Sequence, residues 1–245
     1  MNKKPAISII TAVFNGARTL RNTIESIVPQ LTDEIEYIII DGGSTDGTQY
    51  LIRSYAEHFA YWISEPDGGI YDAWNKGLAH ALGQFICFVG ADDVLMPGVL
   101  ETYLANIRQR PEIEYISSRV ALGESDGRII GQAWRWDHFR RRMTVAHVGS
   151  LHNRNLYERL GQYDTSYRIV GDYEFLLRAG SSLNTGFIDE VTVIMGAGGV
   201  SNKFISLALK ETMRAKSSQN SSSALMIRFD WYVARSKQLI RWLSV

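Results

Sequence analysis

Three apolar stretches of this chain each run out onto an acidic or glycine-rich loop, and chemistry is to be sought at those ends. Residues 85–89 form an apolar β-type run, Gly90-Ala91 lets the backbone turn, and Asp92-Asp93 follow. Neighbouring carboxylates repel each other and are costly to desolvate, so the pair marks either a solvated turn or a site for a divalent cation. Residues 35–40 end at Asp41-Gly42-Gly43, and residues 59–64 end at Glu65-Pro66-Asp67-Gly68-Gly69. In an open parallel sheet such ends lie along one edge, where a crevice receives ligands. A carboxylate such as Asp41 can there accept a hydrogen bond from a base or ribose. Asp46, within Ser44-Thr45-Asp46-Gly47, reads instead as a helix cap. Neither Gly-x-Gly-x-x-Gly nor Gly-x-x-x-x-Gly-Lys-Ser/Thr follows the first strand, so phosphates at this edge would need a metal.

The elements that must position these residues alternate. A strand at 6–13 precedes a helix with Leu20, Ile24, Ile27 and Val28 on one face. The strand at 35–40 precedes a second helix carrying Tyr50, Leu51, Ser54 and Tyr55. The strand at 59–64 leads to a helix over 70–82 and the strand at 85–89. This pattern predicts an α/β fold with a doubly wound, mostly parallel sheet. Further on, a helix is expected over 97–108 and strands at 114–121 and 128–131, joined by a turn at 124–127. The segment 132–143 holds Trp134, Trp136, His138, Phe139 and three successive arginines, a composition suited to stacking on sugars and contacting phosphate. A helix over 153–161, a helix from 173 to 178 opened by Asp172, a strand at 187–195 and a glycine-rich loop at 196–201 follow. Two helices, divided at 217–223, close the chain.

At 245 residues and 45% hydrophobic, the chain can bury a substantial core. Lysine plus arginine balances aspartate plus glutamate at 26 each, so no overall field points to nucleic acid. From Lys203 onward, however, eight basic side chains face only Glu211 and Asp230. Cys87 is the single cysteine and lies in an apolar strand, which fits a reduced interior thiol and a cytoplasmic setting. Neither a leader sequence nor an apolar run of ~18 residues is evident. Residues 223–243 can form a basic amphipathic helix, with Leu225, Phe229, Tyr232, Leu239, Ile240 and Leu243 on one face, suited to an anionic membrane or to packing on protein.

Four segments, 8–15, 40–48, 65–77 and 91–93, together resemble the family 2 glycosyltransferases of the GT-A fold, especially bacterial enzymes of exopolysaccharide and lipopolysaccharide assembly. The resemblance implies a GT-A domain over 1–200, with a nucleotide-sugar half to residue 97 and an acceptor half after it, and a basic helical extension over 201–245. It implies that Thr11 and Asp41 hold the nucleotide base, with Asp67 and Asn75 beside it. Asp92-Asp93 stands where the family's Asp-x-Asp motif binds Mn²⁺ or Mg²⁺ with the donor diphosphate. Gly90 or Ala91 replaces the first aspartate of that motif, leaving Asp93 as the expected metal ligand and Asp92 as a ribose, diphosphate or second metal contact. Trp74 stands where many relatives have arginine, with Lys76 as its replacement. Asp172 matches the catalytic base although Gly171 replaces a common glutamate, and His147, Trp136 and Glu174 are assigned to the acceptor. An inverting transfer from a nucleotide-diphosphate sugar, UDP-sugars favoured, to a glycan or lipid-linked acceptor is thus expected. The rivals are a catalytically silent nucleotide-sugar-binding subunit and a sugar-nucleotide pyrophosphorylase. The pyrophosphorylase would need a glycine-rich loop that Phe14-Asn15-Gly16-Ala17 does not provide.

Overall fold

A computed structural model describes residues 4–123, 127–196 and 204–243. Its first half follows the expected alternation: β1 (Ile7–Val13), α1 (Leu20–Ile27), β2 (Ile35–Asp41), α2 (Thr48–Ser54), β3 (Tyr61–Ser64), α3 (Ile70–His80) and β4 (Phe85–Phe88). The second half is built from β5 (Val94–Leu95), α4 (Val99–Gln109), β6 (Tyr115–Leu122), β7 (Ile129–Ile130), α5 (Trp136–Phe139) and β8 (Leu151–Asn153). It continues through α6 (Asn155–Leu160), α7 (Gly171–Ala179), β9 (Thr185–Met195), α8 (Ile205–Ser218) and α9 (Ala224–Leu243).

The strands form one sheet in the order β3-β2-β1-β4-β8-β6-β9-β5, with β7 on β6. Strands β3, β2, β1 and β4 pair in parallel, and β8 enters antiparallel between β4 and β6. Beyond it, β9 lies parallel to β6 while β5 is antiparallel to β9. Side chains of β1 and β2 alternate between two cores. Ile7, Ile9, Tyr37 and Ile39 pack with Leu20, Ile24 and Ile27 of α1, whereas Ile10, Ile38 and Ile40 pack with Tyr71, Ala73 and Leu78 of α3. Burial on both faces is why these strands read as unbroken apolar runs. Each fully buried isoleucine contributes roughly 2 kcal/mol of transfer free energy. Cys87 is fully buried, and burial pushes its thiol up to about 12.

Strand β8 was not foreseen: it spans three residues, two of them His152 and Asn153, too few for a period to show. The expected helix at 153–161 therefore starts later, at Asn155. The 132–143 segment holds only the short α5, and Phe139 within it is fully buried. The turn at 124–127, apart from Gly127, and the loop at 196–201, apart from Gly196, lie outside the described residues. Helix α8 packs on α7 and α9 packs on α8. Asp230 of α9 pairs with Lys216 of α8 at 2.8 Å and with Arg141 at 2.7 Å. Among the described residues no helix is long and apolar enough to cross a membrane.

Candidate active site at the strand ends

The parallel register carries Asp41 to the last position of β2, opposite Val13 of β1 and Ser64 of β3. Its carboxylate is fully buried. It accepts from the Ser44 amide at 3.1 Å, the Ser44 hydroxyl, and the Ser64 hydroxyl at 2.5 Å. A carboxylate offers about four lone-pair directions, so three internal bonds hold it rigid and leave room for one more donor. Asp67 lies directly alongside: a Cβ on Gly42 would sit 2.6 Å from its Oδ2, so only glycine after Asp41 lets the two loops close on each other. Asp46 is not the cap expected from sequence, since Gly47 is the N-cap of α2 and carries no side-chain cap bond; Asp46 instead forms a turn, accepting from the Thr48 amide at 3.1 Å and from the Ala17 amide of the first loop at 3.1 Å.

The adjacent aspartates after β4 diverge. Asp93 is only 4% exposed, and its carboxylate accepts the Gly90 amide at 2.8 Å and the Gly196 amide at 3.0 Å, tying its own turn to the end of β9. Burial pushes its pKa up to about 6, although both amides pull the other way. Asp92 is half-buried, and a Cβ on Gly196 would overlap its carboxylate. The sequence reading names Asp93 as the principal ligand, and in the structure Asp93 is bonded into its own turn. Asp93 shapes the turn, and Asp92 holds the more accessible position. Among the described residues no three His, Cys, Asp or Glu side chains gather into a preformed metal cage. A single half-buried carboxylate suits a cation shared with substrate phosphates, the usual manner of Mg²⁺.

Asp172 is the second residue of α7 and is half-buried. Tyr71, 3% exposed, donates its hydroxyl to Asp172 Oδ1 at 3.3 Å, which joins the loop after β3 to the start of α7. The loop leading into α7 is itself held from α8: Glu211 accepts the backbone amides of Arg168, Ile169 and Val170 at 2.9, 2.9 and 3.2 Å. His147 lies flat against Trp74, with ring centroids 4.7 Å apart, and contacts the Tyr163 hydroxyl at 3.1 Å. Burial lowers its pKa, and the nearby Asp172 charge opposes that only in part. A chain of buried polar contacts continues from Tyr163 to Tyr157 at 3.1 Å, from Tyr157 to His152 Nδ1 at 3.1 Å, and from His152 Nε2 to Ser150 at 3.1 Å. Trp74, in the place of an expected arginine, thus belongs to an aromatic cluster with Tyr71, Phe88 and Tyr163.

Several residues named from sequence are bonded within the fold. The Thr11 side chain is fully buried and takes the Tyr37 hydroxyl at 3.1 Å, within the core layer beneath α1. Asn75 pairs twice with the backbone of Tyr163, at 2.9 and 3.0 Å, pinning α3 to the segment before α7. Lys76 is bound to Glu65 at 2.8 Å and to the Pro66 carbonyl at 3.0 Å, and so braces the loop that carries Asp67. Glu174 is 3% exposed and is held by Arg178 at 2.5 and 2.9 Å and by Gln219 at 2.8 Å. Trp136 stacks on Trp134 at 6.4 Å and remains half-buried.

The sequence model described as glycosyl transferase family 2 matches residues 8–160, more than half of the chain. The chain belongs to glycosyl transferase family 2. An uncharacterized glycosyltransferase of Mycobacterium tuberculosis (strain H37Rv) is 33% identical over 193 residues, covering 73% of this chain and 70% of the relative. A PGL/p-HBAD biosynthesis glycosyltransferase of Mycobacterium bovis is 29% identical over 208 residues, covering 82% and 81%. Among solved structures, Staphylococcus aureus TarS 1–349 in complex with UDP superposes with a TM-score of 0.70 at 18% identity, covering 91% of this chain and 68% of that one. The Pyrobaculum calidifontis mannosyltransferase PcManGT, in complex with GDP-Man and Mn²⁺, gives 0.65 at 17% identity, covering 95% and 69%. The mostly parallel sheet flanked by helices is therefore the GT-A fold, as the sequence resemblance implied.

This family 2 glycosyltransferase has a cavity of about 840 Å³ beside Asp172. Leu209 and Met213 of α8, Ile227 and Trp231 of α9, and Val170 and Tyr173 around α7 line it, with His138, Arg141 and Arg142 on its polar side. Two residues here escaped the sequence reading, Tyr71 and Glu211. Tyr71 had a signal, because it stands two residues after Gly68-Gly69 at the start of a helix, where a side chain faces the same crevice as the loop. Glu211 had none, being one acidic residue in a basic helical segment.

Proposed function

We propose that this glycosyltransferase inverts the anomeric centre of a nucleotide-diphosphate sugar, UDP-sugars first, and passes the sugar to a hydroxyl of a lipid-linked acceptor in surface glycan assembly. The observation that carries this reading is one strip of neighbouring residues: Gly42, next to Asp41, packed against Asp67, the Asp67 loop running into Tyr71, and Tyr71 bonded to Asp172, which lines the cavity. The donor occupies the carboxylate end of this strip and the acceptor the cavity end. Structural neighbours bound to UDP, UDP-GlcNAc, and GDP-Man with Mn²⁺ support the donor class and the use of a divalent cation.

Asp41 and Asp67 receive hydrogen bonds from the base and ribose, and Asp92 is the side chain that would hold Mn²⁺ or Mg²⁺ together with the diphosphate. When bound, the cation offsets negative charge growing on the departing diphosphate. Asp172 takes the proton of the acceptor hydroxyl; the oxygen attacks the anomeric carbon as the bond to the diphosphate breaks on the opposite face. Walls of Leu209, Met213, Ile227 and Trp231 suit an apolar aglycone, and Arg142 and His138 suit an anionic linkage. Leu225, Phe229 and Tyr232 project from α9 at 79, 57 and 64% exposure, which supports association with the inner face of the cytoplasmic membrane.

The reading is tested by a thermal-shift screen of UDP-, GDP- and dTDP-sugars with and without Mn²⁺. One class should raise the melting temperature more with the metal than without it; no response to any nucleotide sugar would refute the donor assignment. With that donor, Asp172→Asn should lower kcat by roughly 10²–10⁴-fold while keeping donor affinity.

A further inference from the structure

Gly171 stands where the family resemblance implies a glutamate, and the structure supplies a reason that points to another residue. The Tyr71 ring occupies that space: a Cβ on Gly171 would lie 2.8 Å from both Cε2 and Cζ. Tyr71 is held there on several sides, edge-on to Trp74 at 5.2 Å, stacked on Tyr163 at 5.7 Å, and 3% exposed. Its hydroxyl ends 3.3 Å from Asp172 Oδ1. We infer that Tyr71 is the positioning residue of Asp172, fixing one carboxylate oxygen so that the other is presented to the acceptor hydroxyl, and that Gly171 is required to admit its ring. This inference rests on the reading of Asp172 as the base.

A donor from a buried, ring-packed side chain restricts the rotation of a half-buried carboxylate at the start of a helix. Because Tyr71 opens the helix that follows Asp67-Gly68-Gly69, the same contact couples the carboxylate's orientation to the loop expected to meet the donor. Geometry of this kind acts on turnover and not on donor affinity.

The experiment is a double-mutant cycle of Tyr71→Phe and Asp172→Asn, read as release of nucleoside diphosphate from the nucleotide sugar that gives the largest thermal shift with Mn²⁺. Folding of each variant is checked by its melting temperature. Tyr71→Phe keeps the ring and removes only the donor; it should lower kcat roughly tenfold with KM for the donor unchanged. In the Asp172→Asn background the same substitution should cost nothing further, because the carboxylate it positions is gone. Gly171→Ala should lower kcat in the parent and lose most of that effect when Tyr71→Ala removes the ring. If Asp172→Asn left kcat unchanged, the base assignment would fall and this inference with it. If Asp172→Asn were deleterious but Tyr71→Phe were silent, or cost the same in both backgrounds, only the positioning role would fall.

Discussion

The two adjacent aspartates after β4 should separate cleanly when each is replaced by alanine. Asp93 receives two part-buried backbone amides, from Gly90 at 2.8 Å and Gly196 at 3.0 Å. Truncation strands both donors, at about 1–3 kcal/mol each, so the gross loss is at most roughly 2–6 kcal/mol. Its burial also makes the ionised carboxylate costly to hold, which pushes its pKa up to about 6 and places the net loss at neutral pH near the lower end of that range. For a chain of this length, about 2 kcal/mol corresponds to a fall of roughly 4–8 °C in Tm. Asp92→Ala, at a half-buried position, should lower Tm less than Asp93→Ala does but abolish the Mn²⁺-dependent part of nucleotide-sugar binding. Differential scanning fluorimetry on both variants, with and without Mn²⁺ and donor, reads the two effects in one plate. A stable Asp93→Ala that had lost metal-dependent binding, beside an Asp92→Ala that kept it, would overturn the assignment drawn from the hydrogen bonds.

Buried His147 and His152 are held below the ordinary histidine pKa, chiefly by desolvation. The unfolded chain therefore binds protons before the folded one as pH falls below about 6.5. Stability is present above that pH and is lost on acidification, with His152, held well below its ordinary value, contributing the larger share. Urea denaturation from pH 7.5 to 5 should show this slope, and His152→Gln should flatten it; parallel slopes would remove His152 from the cause. Gly42→Ala pushes a methyl into Asp67 and should weaken nucleotide-sugar affinity about tenfold, measured by calorimetry, with little change in Tm. Sedimentation with anionic liposomes should recover the full-length protein in the pellet, and Leu225→Lys with Phe229→Lys should release it. Equal recovery of both in the supernatant would count against membrane association.

The first half of the chain was legible because its strands are buried on both faces and its loops carry acidic residues at the strand ends, where a parallel register aligns them. Asp41, Asp67 and the Asp92-Asp93 turn needed only that rule. What sequence could not give was direction. Nothing in Asp92-Asp93 says which carboxylate turns inward, since that depends on an amide more than a hundred residues later, at Gly196. Asn75 and Glu174 have the right residue types for a ligand, yet their partners, the Tyr163 backbone and Arg178 with Gln219, exist only once α3, α7 and α8 are assembled. Gly171 looked like a gap in the pattern until the Tyr71 ring was found in it.

The run of buried polar contacts that begins at His147 closes on itself, because the Ser150 hydroxyl donates to the His147 carbonyl at 2.6 Å. That single carbonyl sets the polarity of the whole ring. With its proton committed there, Ser150 accepts from His152 Nε2, so neutral His152 presents a bare Nδ1 to the Tyr157 hydroxyl; Tyr157 then accepts from Tyr163, and Tyr163 from His147 Nε2. Both imidazoles are locked as their Nε2–H tautomers. His147 is left with a lone pair at Nδ1, so whatever meets that atom has to bring a hydrogen. A hydroxyl or a water molecule qualifies; a carboxylate or a phosphate oxygen does not. A proton added at His152 Nδ1 would leave the Ser150 arm as it is but turn the Tyr157 and Tyr163 hydroxyls round, so that Tyr163 donates to His147 Nε2 and the lone pair of His147 moves to that nitrogen, which makes the two histidines one titrating unit.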